Sequence, residues 1–238
     1  MTIFERQKKI LEYLEKAHFA TIKELSNLVW TSESSIRRDL RALESKGYLK
    51  QIYGGVVFGE YDKAVVPIVI RDNFHSSVKD DLAKRAAELI FDGATVFLDG
   101  SSTVRRILRH ISGSLTVRVI TNNLNILNEH VPDKVTVYCT GGRFLPESNI
   151  LVGSATEAYL NTVSADLLFF SSQAISEDGE ISDVSEEETS LRRVMLSRAK
   201  QKIFLCDSSK IGIKNTFTVC TKDDVDRIIC DVPLPWEK

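Results

Sequence analysis

The stretch Thr31-Ser32-Glu33-Ser34-Ser35-Ile36-Arg37-Arg38-Asp39-Leu40 places small hydroxyl residues ahead of two adjacent arginines. Ser32 suits the N-cap of a helix, because its side chain can accept a hydrogen bond from a free backbone N–H. Ile36, Leu40 and Leu43 then fall on one helical face, at spacings of four and three residues. The pattern predicts an amphipathic helix with a polar, cationic outer face.

The outer face of this helix has the chemistry of a surface that binds a polyanion. Arginine forks can grip phosphate or the O6/N7 edge of guanine. Taken alone, the stretch is equally consistent with an ordinary solvated helix face. The segments on either side therefore decide between the two. The side chains on this face are Ser34, Ser35, Arg37, Arg38 and Arg41.

Two more helices are predicted ahead of this one. Apolar residues recur at helical spacing over residues 3–17, with Ile3 at the start of the row. Thr21 and Glu24 have the spacing of a capping box, which predicts the start of a second, short helix. A turn follows, and Gly47 suits the end of the third helix.

A β-hairpin is predicted directly after the third helix. Two β-prone runs, residues 48–53 and 56–58, flank the pair Gly54-Gly55, which favours a tight turn. Three helices followed by a hairpin form the winged helix-turn-helix arrangement, in which the third helix enters the major groove of DNA.

The charge distribution agrees with a nucleic-acid-binding N-terminus. The chain is 43% hydrophobic and 27% charged, which is ordinary for a soluble globular protein. Residues 1–58 contain 10 basic and seven acidic side chains, a net charge of +3, whereas the whole chain carries −2. A mildly basic module on an acidic body fits nucleic-acid binding at one end.

The cysteines and the apolar runs narrow the class of protein. Cys139, Cys206, Cys220 and Cys230 form no C-x-x-C pair and lie in or beside apolar runs, which predicts buried free thiols and no metal site. No apolar run approaches the ~20 residues of a membrane span, and the N-terminus lacks a signal-peptide pattern. We therefore expect a cytoplasmic protein that needs no cofactor.

Residues 76–238 alternate between predicted helices and short strands. The strands are nearly continuous apolar runs at 95–98, 117–120, 135–139, 167–170 and 202–206. Helices are expected before the first strand and between the others. This alternation predicts an α/β fold with a mainly parallel sheet covered on both faces. In such a sheet, ligands bind outside the carboxyl ends of the strands.

Small polar residues follow four of these strands. A Gly/Ser/Thr turn at a helix N-terminus offers backbone N–H groups and hydroxyls to an anion. The four segments are Asp99-Gly100-Ser101-Ser102-Thr103, Thr121-Asn122-Asn123, Thr140-Gly141-Gly142-Arg143 and Asp207-Ser208-Ser209-Lys210. Because they lie at one edge of the predicted sheet and include two cations, they predict an anion pocket.

The N-terminal motif resembles a known family. Residues 32–40 match the pattern Ser-x-x-Thr-Ile-Arg-Arg-Asp-Leu of the DeoR family of bacterial transcription regulators, with Ser35 at the threonine position. Leu43-Glu44, Gly47 and Tyr53-Gly54-Gly55 continue the resemblance at the family's spacing.

Four positions in this module depart from the family pattern. Trp30 stands where a small or polar residue is usual, so it could fill a gap in the core. Thr31 replaces an apolar residue. Gln51 and Tyr53 stand in the wing where a basic residue and a histidine are usual.

The residues expected to contact DNA lie on the third helix and the wing. Arg37, Arg38 and Lys50 suit phosphate contacts, while Ser34, Ser35 and Arg37 suit contacts to bases. Asp39 would repel phosphate, so we expect it to orient one neighbouring arginine and turn it inward. The full set of candidates is Ser32, Ser34, Ser35, Arg37, Arg38, Arg41, Lys50 and Tyr53.

The C-terminal half resembles the sensor domain of the same family. The matching pieces are Ala86-Ala87, Leu98-Asp99-x-x-x-Thr103, Thr121-Asn122-Asn123-Leu124-Asn125, Gly141-Gly142, Gly153, Asp166, Asp178-Gly179, Asp207-x-Ser209-Lys210 and Asp226 to Asp231. The resemblance implies a fold like those of ribose-5-phosphate isomerases and CoA transferases, used to sense a phosphorylated sugar or polyol. The effector-binding candidates are Asp99, Gly100, Ser101, Ser102, Thr103, Thr121, Asn122, Asn123, Gly141, Gly142, Arg143, Gln173, Asp183, Glu187 and Lys210.

The departures in this half lie in the expected pocket. Ser101-Ser102 replaces Gly-Thr, and residues 171–175 replace a glycine-containing segment, so the cradle is narrower but has more donors. Glu186-Glu187-Glu188 suits a solvated first turn of a helix. If the run faced the pocket, it would oppose a phosphate.

Three functions remain open at this point. The first is a DNA-binding repressor of sugar or polyol genes, released from its operator by a phosphorylated sugar. The second is a sugar-phosphate isomerase-like enzyme with Asp99, Asp183 or Glu187 as general base. The third is a regulator whose C-terminal domain only oligomerises. We favour the repressor, acting as a homodimer or tetramer, with residues 1–58 binding DNA, 59–75 as linker and 76–238 sensing the effector.

Overall fold

The computed structural model describes residues 2–17, 19–45, 48–52, 54–58, 72, 75–146 and 148–236. The chain forms two compact units, Met1–Val66 and Pro67–Lys238. The predicted helix end at Gly47, the wing residue Tyr53 and most of the predicted linker 59–75 lie outside the described residues.

The first unit is a winged helix-turn-helix, as the sequence predicts. Its elements are α1 (Ile3–Ala17), β1 (Phe19–Ala20), α2 (Ile22–Leu28), α3 (Glu33–Glu44), β2 (Leu49–Ile52) and β3 (Gly55–Phe58). The hairpin strands β2 and β3 pair antiparallel. Strand β1, which no pattern in the sequence predicts, pairs with β3 through Phe19 and Ala20 and makes the sheet three-stranded.

Local capping and apolar periodicity explain these helices. The Thr21 backbone N–H donates to Glu24 Oε2 at 2.7 Å, and the Glu24 N–H donates back to Thr21 Oγ1 at 3.1 Å, which completes the capping box. Ile10, Leu25 and Leu40 are fully buried in the core of this unit. The expectation that Ile3 joins this core is wrong: it lies in the first turn of α1 and is 62% exposed.

The second unit is built on a six-stranded parallel sheet. Its strands in spatial order are β14 (Arg227–Cys230), β12 (Ala199–Cys206), β9 (Ala165–Phe170), β4 (Thr95–Leu98), β5 (Val117–Thr121) and β6 (Val135–Cys139). The helices are α4 (Ser76–Ala87), α5 (Ser154–Asn161) and α6 (Glu186–Arg198). Predicted helices after β4 and β5 are short 3₁₀ helices, Val104–His110 and Leu124–Asn128.

Apolar side chains pack on both faces of this sheet. Along β4, Val96 and Leu98 belong to the core cluster on one face, and Phe97 belongs to the cluster on the other. This two-sided burial is why the strands are almost continuously apolar in sequence. Cys139, which we expected to be buried, is exposed because it ends the edge strand β6.

Short antiparallel strands, not foreseen from the sequence, complete the second unit. β7 (Arg143–Leu145) pairs with β8 (Ile150–Val152). β10 (Ala174–Ile175), β11 (Glu180–Asp183) and β13 (Phe217–Thr221) form a separate three-stranded sheet. Within the described ranges, none of the helices is long and apolar enough to cross a membrane.

Candidate DNA-binding surface and effector site

The outward face of α3 carries the predicted polar and cationic side chains. Ser32 caps the helix by accepting a hydrogen bond from the Ser35 N–H at 3.3 Å, and its hydroxyl lies 3.0 Å from the hydroxyls of Ser34 and Ser35. Arg37, Arg38 and Arg41 are exposed on this helix. Among the described residues, Arg37 has one long ion pair, 3.9 Å from Glu33, in which both side chains are solvated. Such a pair holds the guanidinium only weakly.

The internal partner of Asp39 is Arg6, not a neighbouring arginine. Asp39 is buried, and its Oδ2 accepts a hydrogen bond from Arg6 Nε at 2.5 Å, while Oδ1 accepts one from Gln7 at 3.3 Å. The expectation that Asp39 turns Arg37 or Arg38 inward is therefore wrong. Both arginines are left on the outer face of α3, and the carboxylate instead ties α3 to α1.

The wing is tied to the same helix by Gln51. Its backbone N–H and its side-chain amide each donate to the Glu44 carboxylate at 2.7 Å. Gln51 occupies a position where the DeoR pattern has a basic residue. In this chain, the residue at that position binds Glu44 within the domain. Lys50, the wing candidate for a phosphate contact, is half-buried on β2, and Tyr53 is not among the described residues.

In the second unit, the carboxyl ends of strands β4 and β5 bring most of the predicted effector residues together. Leu98 of β4 pairs with Thr121 of β5 and with Phe169 of β9, so these strands end at one edge. The buried members of the predicted set are Asp99, Gly100, Ser101, Ser102, Thr103, Thr121, Asn122, Asn123 and Asp183. Asn123 Nδ2 donates to the Ser101 backbone carbonyl at 3.3 Å, which joins two of the strand ends directly.

A buried arginine organises the carboxylates of this edge. Arg192, on α6, donates to Asp99 at 2.8 Å, to Asp183 at 2.9 Å and to Glu188 at 3.0 Å. Burial alone would lower the pKa of its guanidinium, but the three carboxylates outweigh burial and raise it. Asp99 and Asp183 are thus held as partners of a permanent cation.

Glu188 is the inward-facing member of the acidic run. Besides Arg192, it accepts a hydrogen bond from the Ser148 hydroxyl at 2.6 Å. Glu186 and Glu187 are exposed in the same turn. The interpretation of the run as a solvated turn therefore fits two of the three residues, whereas Glu188 faces inward and shares the single charge of Arg192 with Asp99 and Asp183.

Two lysines form a cationic cluster at the same edge. Lys79, buried on α4, places its Nζ 3.3 Å from Ser102 Oγ, and Lys210 donates to Ser171 Oγ at 2.8 Å. Burial, followed by the field of Lys210, lowers the pKa of Lys79 to about 7. Arg106 adds to the same field, and its own pKa is lowered by burial and by neighbouring arginines. The carboxylate of Asp207, 3.7 Å from Lys210 Nζ, already offsets part of this positive charge, and a bound anion would offset more of it.

Other predicted effector residues lie nearer the surface. Arg143 and Glu187 form an exposed ion pair with each other. Gly141 and Gly142 are also exposed; Gly141 accepts a hydrogen bond from Thr156 Oγ1 at 2.7 Å through its carbonyl. Gln173 is half-buried after β9.

A small cavity opens beside the Arg192 cluster. Gly100, Asn122 and Ile150 line it together with Asp99 and Glu188. Asn122 Nδ2 donates to the Leu151 carbonyl at 3.0 Å, whereas its buried Oδ1 accepts no hydrogen bond from the part of the chain that the structure describes. A residue that lines the cavity thus keeps an unfilled acceptor, which a ligand donor such as a hydroxyl group could fill.

Lys79, Arg106 and Arg192 were not found from the sequence. Each lies on a helix, inside an otherwise ordinary amphipathic pattern, and not at a strand end. The one available signal was that Lys79 and Arg192 fall within helices that must pack on the sheet, where a charged side chain needs a partner.

Comparison with known proteins identifies the class. Residues 6–61 match the DeoR-like helix-turn-helix domain, and residues 75–232 match the DeoR C terminal sensor domain. The HTH-type transcriptional regulator GolR of Listeria innocua is 31% identical over 96% of this chain and 90% of its own length. The HTH-type transcriptional repressor GlcR of Bacillus subtilis is 31% identical over 95% of this chain and 88% of its own. Ribose 5-phosphate isomerase A of Methanocaldococcus jannaschii superposes on 57% of this chain and 54% of its own, at 18% identity and a TM-score of 0.41.

The two family matches define a two-domain transcription factor with an N-terminal DNA-binding module. The chain belongs to the DeoR family, as the matched sensor domain covers well over half of it. It is therefore a transcriptional regulator and not an enzyme.

Proposed function

We propose that this protein represses genes of sugar or polyol metabolism and leaves its operator when it binds a phosphorylated sugar. The observation that carries the proposal is the pair of lysines, Lys79 and Lys210, beside serine hydroxyls at the carboxyl edge of the sheet. A phosphate there would compensate two crowded cations. That GlcR is named a repressor supports the direction of control.

Within this proposal, the phosphate lies against Lys79, Lys210 and Ser102, and sugar hydroxyls reach Asn122 Oδ1. The exposed residues Gly141, Gly142, Arg143 and Glu187, with Gln173, form the outer part of the site. Asp99 and Asp183 hold Arg192 and shape the pocket from within. This division follows the burial of the side chains.

The DNA-binding proposal assigns residues 1–58 to operator binding, 59–75 to the linker and 76–238 to sensing. The contacts come from Ser32, Ser34, Ser35, Arg37, Arg38, Arg41, Lys50 and Tyr53. Two copies of α3 reading half-sites require a homodimer or a tetramer, and chromosomal operators put the protein in the cytoplasm.

The proposal is tested with the intact chain, duplex DNA from the region upstream of its own gene, and a panel of three- to six-carbon sugar phosphates. We expect one compound to bind in calorimetry, to release the DNA in a mobility shift and to be recovered unchanged. Binding with turnover would instead support an isomerase-like activity. DNA binding that no compound affects would support a C-terminal domain that only oligomerises.

A further inference from the structure

Trp30 is an unusually exposed residue in the turn between α2 and α3. Its side chain is 93% exposed, and its backbone has a φ of +51°. The hypothesis that Trp30 fills a gap in the core is therefore wrong. The indole lies in solvent, outside the core of the first unit.

Both features of Trp30 are unfavourable for the folded chain alone. A positive φ is rare for bulky residues, and glycine adopts it without the steric cost. A solvated indole also leaves a large apolar surface in water. The strained backbone of an exposed residue of this kind points to a role outside the core.

The turn holds Trp30 in a fixed place beside α3. The Trp30 N–H donates to the Asn27 carbonyl at 3.4 Å, and the Thr31 N–H donates to the Ser26 carbonyl at 3.1 Å. The Ser26 hydroxyl returns a hydrogen bond to the Thr31 carbonyl at 2.7 Å. Two residues further on, Ser32 caps the helix whose outer face carries Arg37 and Arg38.

We propose that Trp30 is a DNA-backbone contact that extends the α3 surface along one strand of the duplex. This inference rests on the proposed role of α3 in the major groove, whose N-terminal end Trp30 adjoins. The ring packs on deoxyribose, and its Nε1–H donates to a phosphate oxygen. The contact is independent of base sequence, and it adds an anchor that Arg37 and Arg38 do not supply.

The test uses the intact chain and a duplex of about 30 base pairs of arbitrary sequence at low salt, since backbone contacts dominate such binding. The chain has two tryptophans, and Trp236 packs against the core of the second unit. In a Trp236→Phe variant, we expect the duplex to change the Trp30 emission and added salt to reverse the change. The Trp30→Phe variant, which keeps Trp236, should show no such change.

In Trp30→Gly, the affinity for the duplex should fall without a loss of stability. We expect roughly tenfold weaker duplex binding, the size of one charge-assisted hydrogen bond, with an unfolding midpoint that is equal or higher because the positive φ is relieved. Trp30→Phe should bind with intermediate affinity, because it keeps the ring and loses the donor.

Three results would overturn the inference. If Trp30→Gly bound the duplex with wild-type affinity, Trp30 would not contact DNA, and the proposed role of α3 would be unaffected. Weaker self-association of Trp30→Gly in sedimentation velocity, with unchanged affinity for DNA, would assign the indole to an interface between copies of the chain. A wild-type protein that binds no duplex would overturn the proposed function and this inference together.

Discussion

Arg192 Nε lies 2.8 Å from Asp99 Oδ2, across 93 residues of sequence, and joins helix α6 to the end of strand β4. The same guanidinium also pairs with Asp183 and Glu188, so its one positive charge is shared among three buried carboxylates. This junction lies under the proposed effector site, and the site's shape depends on it.

Replacement of Arg192 by methionine should destabilise the second unit by about 3–5 kcal/mol, because it leaves buried carboxylates without their partner. Urea unfolding followed by circular dichroism measures the loss. The matched control is Arg193→Met, the exposed neighbour on α6, which should change stability far less. Equal free energies of unfolding for the two variants would show that the Arg192 cluster contributes little to stability.

Replacement of Lys79 by methionine should abolish phosphate-ester binding and the proton uptake that accompanies it. With a pKa of about 7, Lys79 is mostly neutral at pH 8 and takes up a proton when an anion binds. Calorimetry in buffers of different ionisation enthalpy counts that proton. Lys84→Met, an exposed lysine on the same helix, should keep both binding and uptake. If Lys79→Met took up the same number of protons as wild type on binding, Lys79 would not be part of the site.

The free protein should also become more stable as pH rises above 7 because of Lys79. Its folded pKa of about 7 lies below the value of ~10.4 for an unfolded lysine, so the unfolded chain binds more protons between these limits. The unfolding midpoint of wild type measured relative to Lys79→Met should therefore rise across this window. A constant difference between the two would contradict the low pKa.

Alanine at Arg37 or at Arg38 should weaken operator binding and, where a phosphate contact is lost, reduce the salt slope by about 0.9 per contact. Fluorescence anisotropy at several salt concentrations measures both quantities. Arg118→Ala removes an exposed arginine from β5 and should leave the slope unchanged. Operator affinity equal to wild type in both α3 variants would exclude this face as the DNA surface.

Alanine at Gly142 should destabilise the second unit by about 1–3 kcal/mol. Its φ is +123°, and an added Cβ would lie 2.1 Å from Thr156 Oγ1 and 2.8 Å from the Val152 carbonyl oxygen. Thermal unfolding measures the change. Gly113→Ala, where the added Cβ would meet open space, is the matched control. Similar midpoints for both variants would mean that the turn can rearrange without cost.

Local signals predicted much of the fold from the sequence. The Thr21–Glu24 capping box and the Ser32 cap each join residues only three positions apart, so both partners of the interaction are visible in a short stretch of sequence. The apolar strands were predictable because burial on two faces leaves a continuous apolar run. The 3₁₀ helices and short antiparallel strands were missed, since these segments lack a sustained period.

Only part of the site could be predicted, because several of its contacts join residues that are far apart in the sequence. The strand-end residues could be found because parallel strands end at a common edge. The partners that neutralise them could not: Lys79 meets Ser102 from 23 residues away, and Arg6 meets Asp39 from 33. Near-neighbour chemistry suggested an arginine for Asp39, and tertiary packing supplied a different one.

If the effector contacts Asp99, Ser102 and Asn122 as proposed, their burial would limit how fast the regulator responds. A small molecule would reach the covered atoms of these residues only during a transient opening of the site. The apparent affinity is then reduced by the fraction of time spent open. In a growing cell, the delay between the appearance of a nutrient and transcription would contain this opening time, independent of how tightly the occupied site finally closes.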